Sequence, residues 1–70
     1  MTEPVSLASV GDAVRTARRE RGWSQTKLGE EAGVSRPTIA RIERGDDASV
    51  GTLAKVTAAV GLAIKIEATQ

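Results

Sequence analysis

The chain has 70 residues, with ten Lys/Arg, nine Asp/Glu, no Cys, His, Tyr or Phe, and a formal net charge of +1. This length allows one small domain, and the lack of cysteine excludes a disulfide framework and a thiolate metal site. Without His, Cys or Tyr the usual general bases and nucleophiles are missing, so we expect neither an enzyme nor a cofactor or metal site.

The positive charge is concentrated in the middle of the chain. Residues 15–44 contain eight Lys/Arg and four Asp/Glu, whereas the two flanks together contain two and five. A local positive field of this kind attracts phosphate groups. No apolar run is long enough to cross a bilayer, and the N-terminus lacks the pattern of a signal peptide, so we predict a cytoplasmic protein without a membrane partner.

The first helix is expected after a short N-terminal segment. Residues 1–8 show no periodicity, and we interpret them as a flexible arm before a folded domain at residues 9–61. Ser9 and Asp12 have the S-x-x-D spacing of a capping box, and Gly22 is a suitable stop. Apolar residues follow at helical spacing: Val10, Ala13, Val14 and Ala17.

The stretch 24–45 predicts two short helices joined by a tight turn. Ser24 and Ser35 are suitable N-caps, and Gly33 can take the positive φ that commonly follows a helix. Apolar residues at the N′ and N4 positions form two staples, Trp23 with Leu28 and Val34 with Ile39. Helices separated by about three residues must cross steeply, which is the geometry of a helix-turn-helix. That motif presents its second helix to the major groove of DNA.

The second of these helices, residues 36–44, has two different faces. Ile39 and Ile42 form its buried stripe, and Pro37, Ala40, Arg41 and Arg44 face away. Arg36 lies in the first turn, where its guanidinium can reach O6 and N7 of guanine. The alternative is that three arginines on one helix only form a solvated face.

The C-terminal part predicts a fourth helix and a strand. The helix runs from a Ser49 cap to Gly61 and closes the core with one apolar face: Val50, Leu53, Val56 and Val60. Residues 62–68 alternate with period two, which indicates a half-buried strand without a partner in its own chain. Pairing with a second copy would give a homodimer held by Leu62, Ile64 and Ile66. Such a dimer would place two recognition helices about 34 Å apart on a twofold operator.

The sequence of residues 24–45, SQTKLGEEAGVSRPTIARIERG, resembles the phage-repressor type of helix-turn-helix shared by Cro and lambda-like repressors. The resemblance implies an all-α, lambda-repressor-like bundle of four or so helices that binds double-stranded DNA. With the strand, the expected fold is this bundle followed by one short dimerising β-strand. The matching positions are Gln25, Leu28, Ala32, Gly33, Val34, Ile39, Ile42, Glu43 and Gly45.

The resemblance also implies roles for individual residues. Base contacts are expected from Arg36, Pro37, Thr38 and Arg41, and phosphate contacts from Ser24, Gln25, Lys27, Ser35 and Arg44. Pro37 departs from the polar residue often found there and can offer only contact with a thymine methyl. Arg18 and Glu43 flank the buried stripes of their helices, and both this placement and the resemblance predict a salt bridge between them. The acids Asp46 and Asp47 should repel phosphate, unlike the basic or neutral loops common in the family.

The C-terminal strand narrows the resemblance to HipB-type antitoxins. These proteins repress their own operon and bind a HipA-type kinase toxin, so the expected function is an autoregulating, DNA-binding repressor with such a partner. Two alternatives remain open. One is a stand-alone phage or host repressor without a toxin, and the other is a protein-interaction adaptor that has lost DNA binding.

Overall fold

Four helices make up residues 6–62, the part of the chain that the computed structural model describes. They are α1 (Leu7–Glu20), α2 (Gln25–Ala32), α3 (Arg36–Glu43) and α4 (Val50–Ala59). Over this range the all-α prediction is confirmed. The predicted strand, residues 62–68, lies outside the described residues except for Leu62.

Each helix begins at a serine. The side chains of these serines adopt the N-cap position and accept a hydrogen bond from the backbone N–H three residues later. Such a bond satisfies one of the free donors of the first turn. The caps are Ser6, Ser24, Ser35 and Ser49, of which the last three were predicted.

The predicted start of α1 is wrong by three residues. The helix begins at Leu7 because Ser6 and Ser9 form a reciprocal capping box: the Ser9 N–H donates to Ser6 Oγ at 3.1 Å, and the Ser6 N–H donates to Ser9 Oγ at 3.0 Å. Asp12, which was expected in this box, instead pairs with Arg15 at 2.7 Å on the helix surface. The predicted arm at residues 1–8 therefore overlaps the first turn of α1.

The turn between α2 and α3 depends on two glycines. Gly33 ends α2 with φ of +73°, a left-handed conformation that glycine adopts without steric cost. The next N–H, from Val34, bonds back to the carbonyl of Gly29 at 2.9 Å. A Cβ at Gly29 would lie 2.7 Å from the carbonyl oxygen of Val34, so this helix position has no room for a side chain. The two helices therefore come together closely, as the helix-turn-helix prediction requires.

All four helices contribute to the core. The buried apolar side chains are Val14, Leu28, Ile39, Ile42, Val56 and Val60. Helix α3 packs against α1 and α2, and α2 also packs against α4. One predicted core residue is misplaced, because Val50 is 61% exposed. It is the first residue of α4 and precedes the part of the helix that reaches the core.

Helix α1 approaches α3 closely at Gly11. This residue is buried, and a Cβ there would clash with the carbonyl oxygen of Ile42. A larger side chain would therefore push α3 away from α1. The sequence pattern had assigned Gly11 no role.

The end of α4 shows that Leu62 belongs to a helix terminus. Its N–H donates to the carbonyl of Thr57 at 2.8 Å, and the N–H of Gly61 donates to that of Ala58 at 3.1 Å. This pair of bonds is a Schellman motif. The side chain of Leu62 is half-buried against the core of its own chain.

Candidate nucleic-acid interface

Helix α3 has one buried and one exposed face, as predicted. Ile39 is fully buried, and Ile42 and Glu43 are 2% and 6% exposed. The side chains on the other face, which include Arg36 and Arg41, point to solvent. Packing on one side therefore fixes the helix while the other side stays available to a partner.

The exposed face of α3 carries two arginines, Arg36 and Arg41. Within residues 6–62, neither Arg36 nor Arg41 forms a salt bridge or a side-chain hydrogen bond. Pro37 lies between them in the first turn, where a missing N–H costs no intrahelical bond. Two guanidinium groups whose donors have no partner within the described part of the chain are suited to the acceptor edges of guanine and to phosphate.

The side chain of Thr38 is less exposed to a binding partner than those of Arg36 and Arg41. Its side chain is half-buried, and its hydroxyl lies 2.8 Å from the hydroxyl of Ser35. Ser35 Oγ also accepts the Thr38 N–H at 3.3 Å as part of the α3 cap. The hydroxyls of these two predicted contact residues thus bond to each other in the free protein.

A buried ion pair joins α1 to α3. Arg18 Nε donates to Glu43 Oε2 at 2.7 Å, and Arg18 Nη2 donates to Glu43 Oε1 at 3.0 Å. The side chains are only 11% and 3% exposed. The hydrogen bond to Glu43 raises the pKa of Arg18, so this cation stays charged. The structure therefore contains the salt bridge that the sequence predicted.

The same network extends to the start of α2. Arg18 Nη1 donates to the carbonyl of Trp23 at 2.8 Å, and Gln25 Nε2 donates to Glu43 Oε1 at 3.3 Å. Gln25, a predicted phosphate contact, is thereby held against α3. One of its two amide hydrogens remains for another acceptor. Sequence reasoning missed this bond, because nothing in the pattern specifies which groups share a carboxylate.

The other predicted phosphate contacts already have partners. Ser24 Oγ accepts the N–H of Lys27 at 3.0 Å as the α2 cap. Lys27 Nζ lies 3.0 Å from Glu31, which raises the pKa of Lys27. Arg44 donates to Asp46 from two of its nitrogens. Sequence reasoning did not foresee either pairing.

The exposed edge of α3 borders a shallow groove of about 170 Å³ in front of α4. The groove is mostly polar and is lined by Thr38, Arg41, Asp47, Ala48, Ser49 and Thr52. Asp47 thus lies on the same side of the molecule as Arg41. The predicted dimer residues Ile64 and Ile66 lie outside the described residues.

Two further observations concern metal ions and membranes. No group of three His, Cys, Asp or Glu side chains in residues 6–62 is placed to hold a metal ion. The same part of the chain contains no helix long and apolar enough to cross a membrane.

Comparison with known proteins identifies the family. The sequence model of the helix-turn-helix family matches residues 14–65, about three quarters of the chain. The chain belongs to this helix-turn-helix family. It is 54% identical over 33 residues to the HTH-type transcriptional regulator YgzD of Bacillus subtilis. It is also 48% identical over 40 residues to an HTH-type transcriptional regulatory protein of Halorubrum lacusprofundi.

These matches cover parts of both partners. The aligned segments are 47% of this chain and 50% of YgzD, and 57% of this chain and 12% of the Halorubrum protein. The chain therefore spans half or less of the length of these relatives.

Solved structures agree with the fold. The chain superimposes over its full length on a chain of the HipA–HipB–O2–O3 complex, with a TM-score of 0.79 at 22% identity and full coverage of that chain. The clp gene regulator ClgR from Corynebacterium glutamicum gives a TM-score of 0.75 at 31% identity, covering 90% of this chain and 82% of that one. A complex of HipB with an O4 20mer also gives 0.79, at 21% identity, covering 100% of both chains.

Proposed function

We propose that the protein is a sequence-specific repressor that inserts α3 into the major groove of an operator. The observation that carries the proposal is the division of α3 into a buried face and an exposed face with unpartnered Arg36 and Arg41, as far as residues 6–62 are concerned. A helix held rigidly on one side can offer its free donors to base edges at fixed positions.

The proposed residue roles are those that the family resemblance implies. The base-reading residues are Arg36, Pro37, Thr38 and Arg41, with Pro37 limited to an apolar contact. The phosphate contacts are Ser24, Gln25, Lys27, Ser35 and Arg44, which hold the helix against the DNA backbone. Of these side chains, that of Gln25 is already fixed in position, because its amide donates a hydrogen bond to Glu43.

We propose that the protein acts as a homodimer on a twofold operator. The period-two pattern of residues 62–68 favours pairing with a second copy through Leu62, Ile64 and Ile66. Leu62 can take part only from the turn after α4, where it is half-buried.

The preferred biological role is that of an autoregulating antitoxin with a HipA-like kinase partner. Its support is the fold shared with HipB in a complex that contains HipA, and at 22% identity this likeness extends to the fold alone. The second candidate is a stand-alone regulator. It is favoured by the higher identity, 31%, to the clp gene regulator ClgR.

Two experiments separate these possibilities. Selection from a random duplex library, followed by anisotropy titration at fixed salt, should yield a palindromic site that binds far more tightly than scrambled DNA. Equal affinity for both duplexes would contradict sequence-specific repression, and lack of binding to either duplex would favour the adaptor alternative. Expression of the native operon with a tag on this chain should co-purify a kinase-fold neighbour, and its absence would favour the stand-alone regulator.

A further inference from the structure

The cations of the proposed DNA face fall into two groups. Arg36 and Arg41 have no anionic partner among residues 6–62, whereas Lys27 and Arg44 each contact a carboxylate of their own chain. The free pair are the proposed base readers, and the neutralised pair are proposed phosphate contacts. Among residues 6–62, the cations that form these ion pairs are thus proposed phosphate contacts, which carry no sequence information.

Of the two ion pairs, the one between Arg44 and Asp46 at the end of α3 is better defined than the one between Lys27 and Glu31. Asp46 Oδ2 accepts from Arg44 Nη2 at 3.1 Å and from Arg44 Nε at 3.3 Å. The side chains are 62% and 55% exposed, so solvent and other anions can reach both. Arg44 follows Arg41 by three residues, which places the two side chains on neighbouring parts of the helix surface.

Stability of the fold does not explain an acid at this position. The N–H of Asp46 donates to the carbonyl of Arg41 at 3.0 Å, so Asp46 lies directly at the C-terminal end of α3. That end carries the negative part of the helix dipole, which disfavours a carboxylate. An exposed salt bridge contributes little in return.

We propose that Asp46 is a specificity-determining residue: it competes with DNA phosphate for Arg44 and so weakens sequence-independent binding more than operator binding. This inference rests on the proposed DNA-reading function of α3. On non-cognate DNA almost all the affinity comes from phosphate contacts, and no base contact fixes the register. A phosphate that is not held at hydrogen-bonding distance cannot displace Asp46. On the operator, contacts from Arg36 and Arg41 fix the register and bring a phosphate to Arg44.

The test is a salt titration of Asp46→Asn on operator and scrambled duplexes, with the full-length protein. The variant should bind scrambled DNA about threefold to tenfold more tightly at about 0.1 M salt, and operator DNA by a smaller factor. Its salt slope on scrambled DNA should steepen by about 0.9, as expected for one additional neutralised phosphate.

Two controls separate competition at Arg44 from a general change of charge. Asp12→Asn makes the same charge change by removing the partner of Arg15 on α1, and it should shift the affinity much less. In an Arg44→Ala background, Asp46→Asn should lose its effect, because the cation for which the two anions compete is gone.

The outcomes distinguish failure of the inference from failure of the proposed function. If the wild type prefers its operator but Asp46→Asn leaves scrambled binding unchanged, tightens both duplexes equally, or keeps its effect without Arg44, the inference is wrong and the function stands. If the wild type binds all duplexes equally or none, both are wrong.

Discussion

The guanidinium of Arg18 bonds both carboxylate oxygens of Glu43, at 2.7 and 3.0 Å, and connects α1 to the last turn of α3. Its remaining nitrogen bonds the carbonyl of Trp23, just before α2. One buried side chain thus positions α3 against α1 and the start of α2. Its function is structural, since both charged groups are almost completely removed from solvent.

Replacement of Glu43 by alanine should destabilise the fold strongly. Removing one member of a buried pair leaves Arg18 as an uncompensated charge, with an expected loss of about 3 kcal/mol in the free energy of unfolding. Urea denaturation provides the measurement. Glu30→Ala, at an exposed position of α2, is the control and should change stability by less than about 0.5 kcal/mol. Equal midpoints and slopes for the two variants would show that the pair contributes no stability.

Arg36→Ala should reduce operator binding without affecting the fold. Loss of a bidentate contact with guanine is expected to cost about 1–3 kcal/mol on the operator and less on scrambled DNA. Competition titrations at one salt concentration measure both values. Lys55→Ala, which also removes an exposed cation but from α4, is the control. An equal loss on both duplexes would reassign Arg36 to a phosphate contact.

Gly29→Ala should weaken the helix-turn-helix although alanine favours helices. Its Cβ would lie 2.7 Å from the carbonyl oxygen of Val34, so the turn before α3 would have to move, at a cost of about 1–3 kcal/mol. Gly51→Ala in α4 is a matched control, because a Cβ there meets no atom within 4 Å. It should be neutral or stabilising by less than about 1 kcal/mol. Thermal or urea denaturation of both variants will decide, and an equally stable Gly29→Ala protein would exclude tight packing at this turn.

Deletion of residues 63–70 should convert a dimer into a monomer while leaving Leu62 to close the end of α4. Operator affinity should then fall by orders of magnitude, because the second half-site no longer benefits from a high effective concentration. Sedimentation equilibrium of the full-length and shortened proteins is the measurement. A full-length chain that is monomeric at micromolar concentration without DNA would rule out the proposed dimer.

The sequence predicted those features of the fold that depend on local signals. Ser24 and Ser35 mark helix starts because a serine hydroxyl satisfies a nearby backbone donor, and Gly33 marks the turn because of its positive φ. The start of α1 was misplaced because Ser6 and Ser9 both offer caps, and only Ser6 gains a reciprocal bond. A local sequence pattern does not show which of these two serines is the N-cap of α1.

Long-range contacts were predicted less completely. The Arg18–Glu43 pair could be anticipated because both residues flank buried stripes. The contact of Gly11 with α3 and the bond from Gln25 to Glu43 could not, because they depend on interhelical distances that no periodicity specifies. The exposure of Val50 could not be predicted for the same reason, because an apolar stripe on one helix does not show where the neighbouring helix ends.

The serine caps and the left-handed glycines after the four helices have a consequence for the speed of folding. Both ends of each helix are specified by residues within a few positions of them, so helices can start and stop correctly before tertiary contacts form. Helical domains with mainly local contacts fold in microseconds to milliseconds. We therefore expect the helical bundle to refold on this timescale, and a slower, concentration-dependent phase in stopped-flow experiments to report the association of two chains. Such a phase should accelerate with protein concentration, whereas helix formation should not.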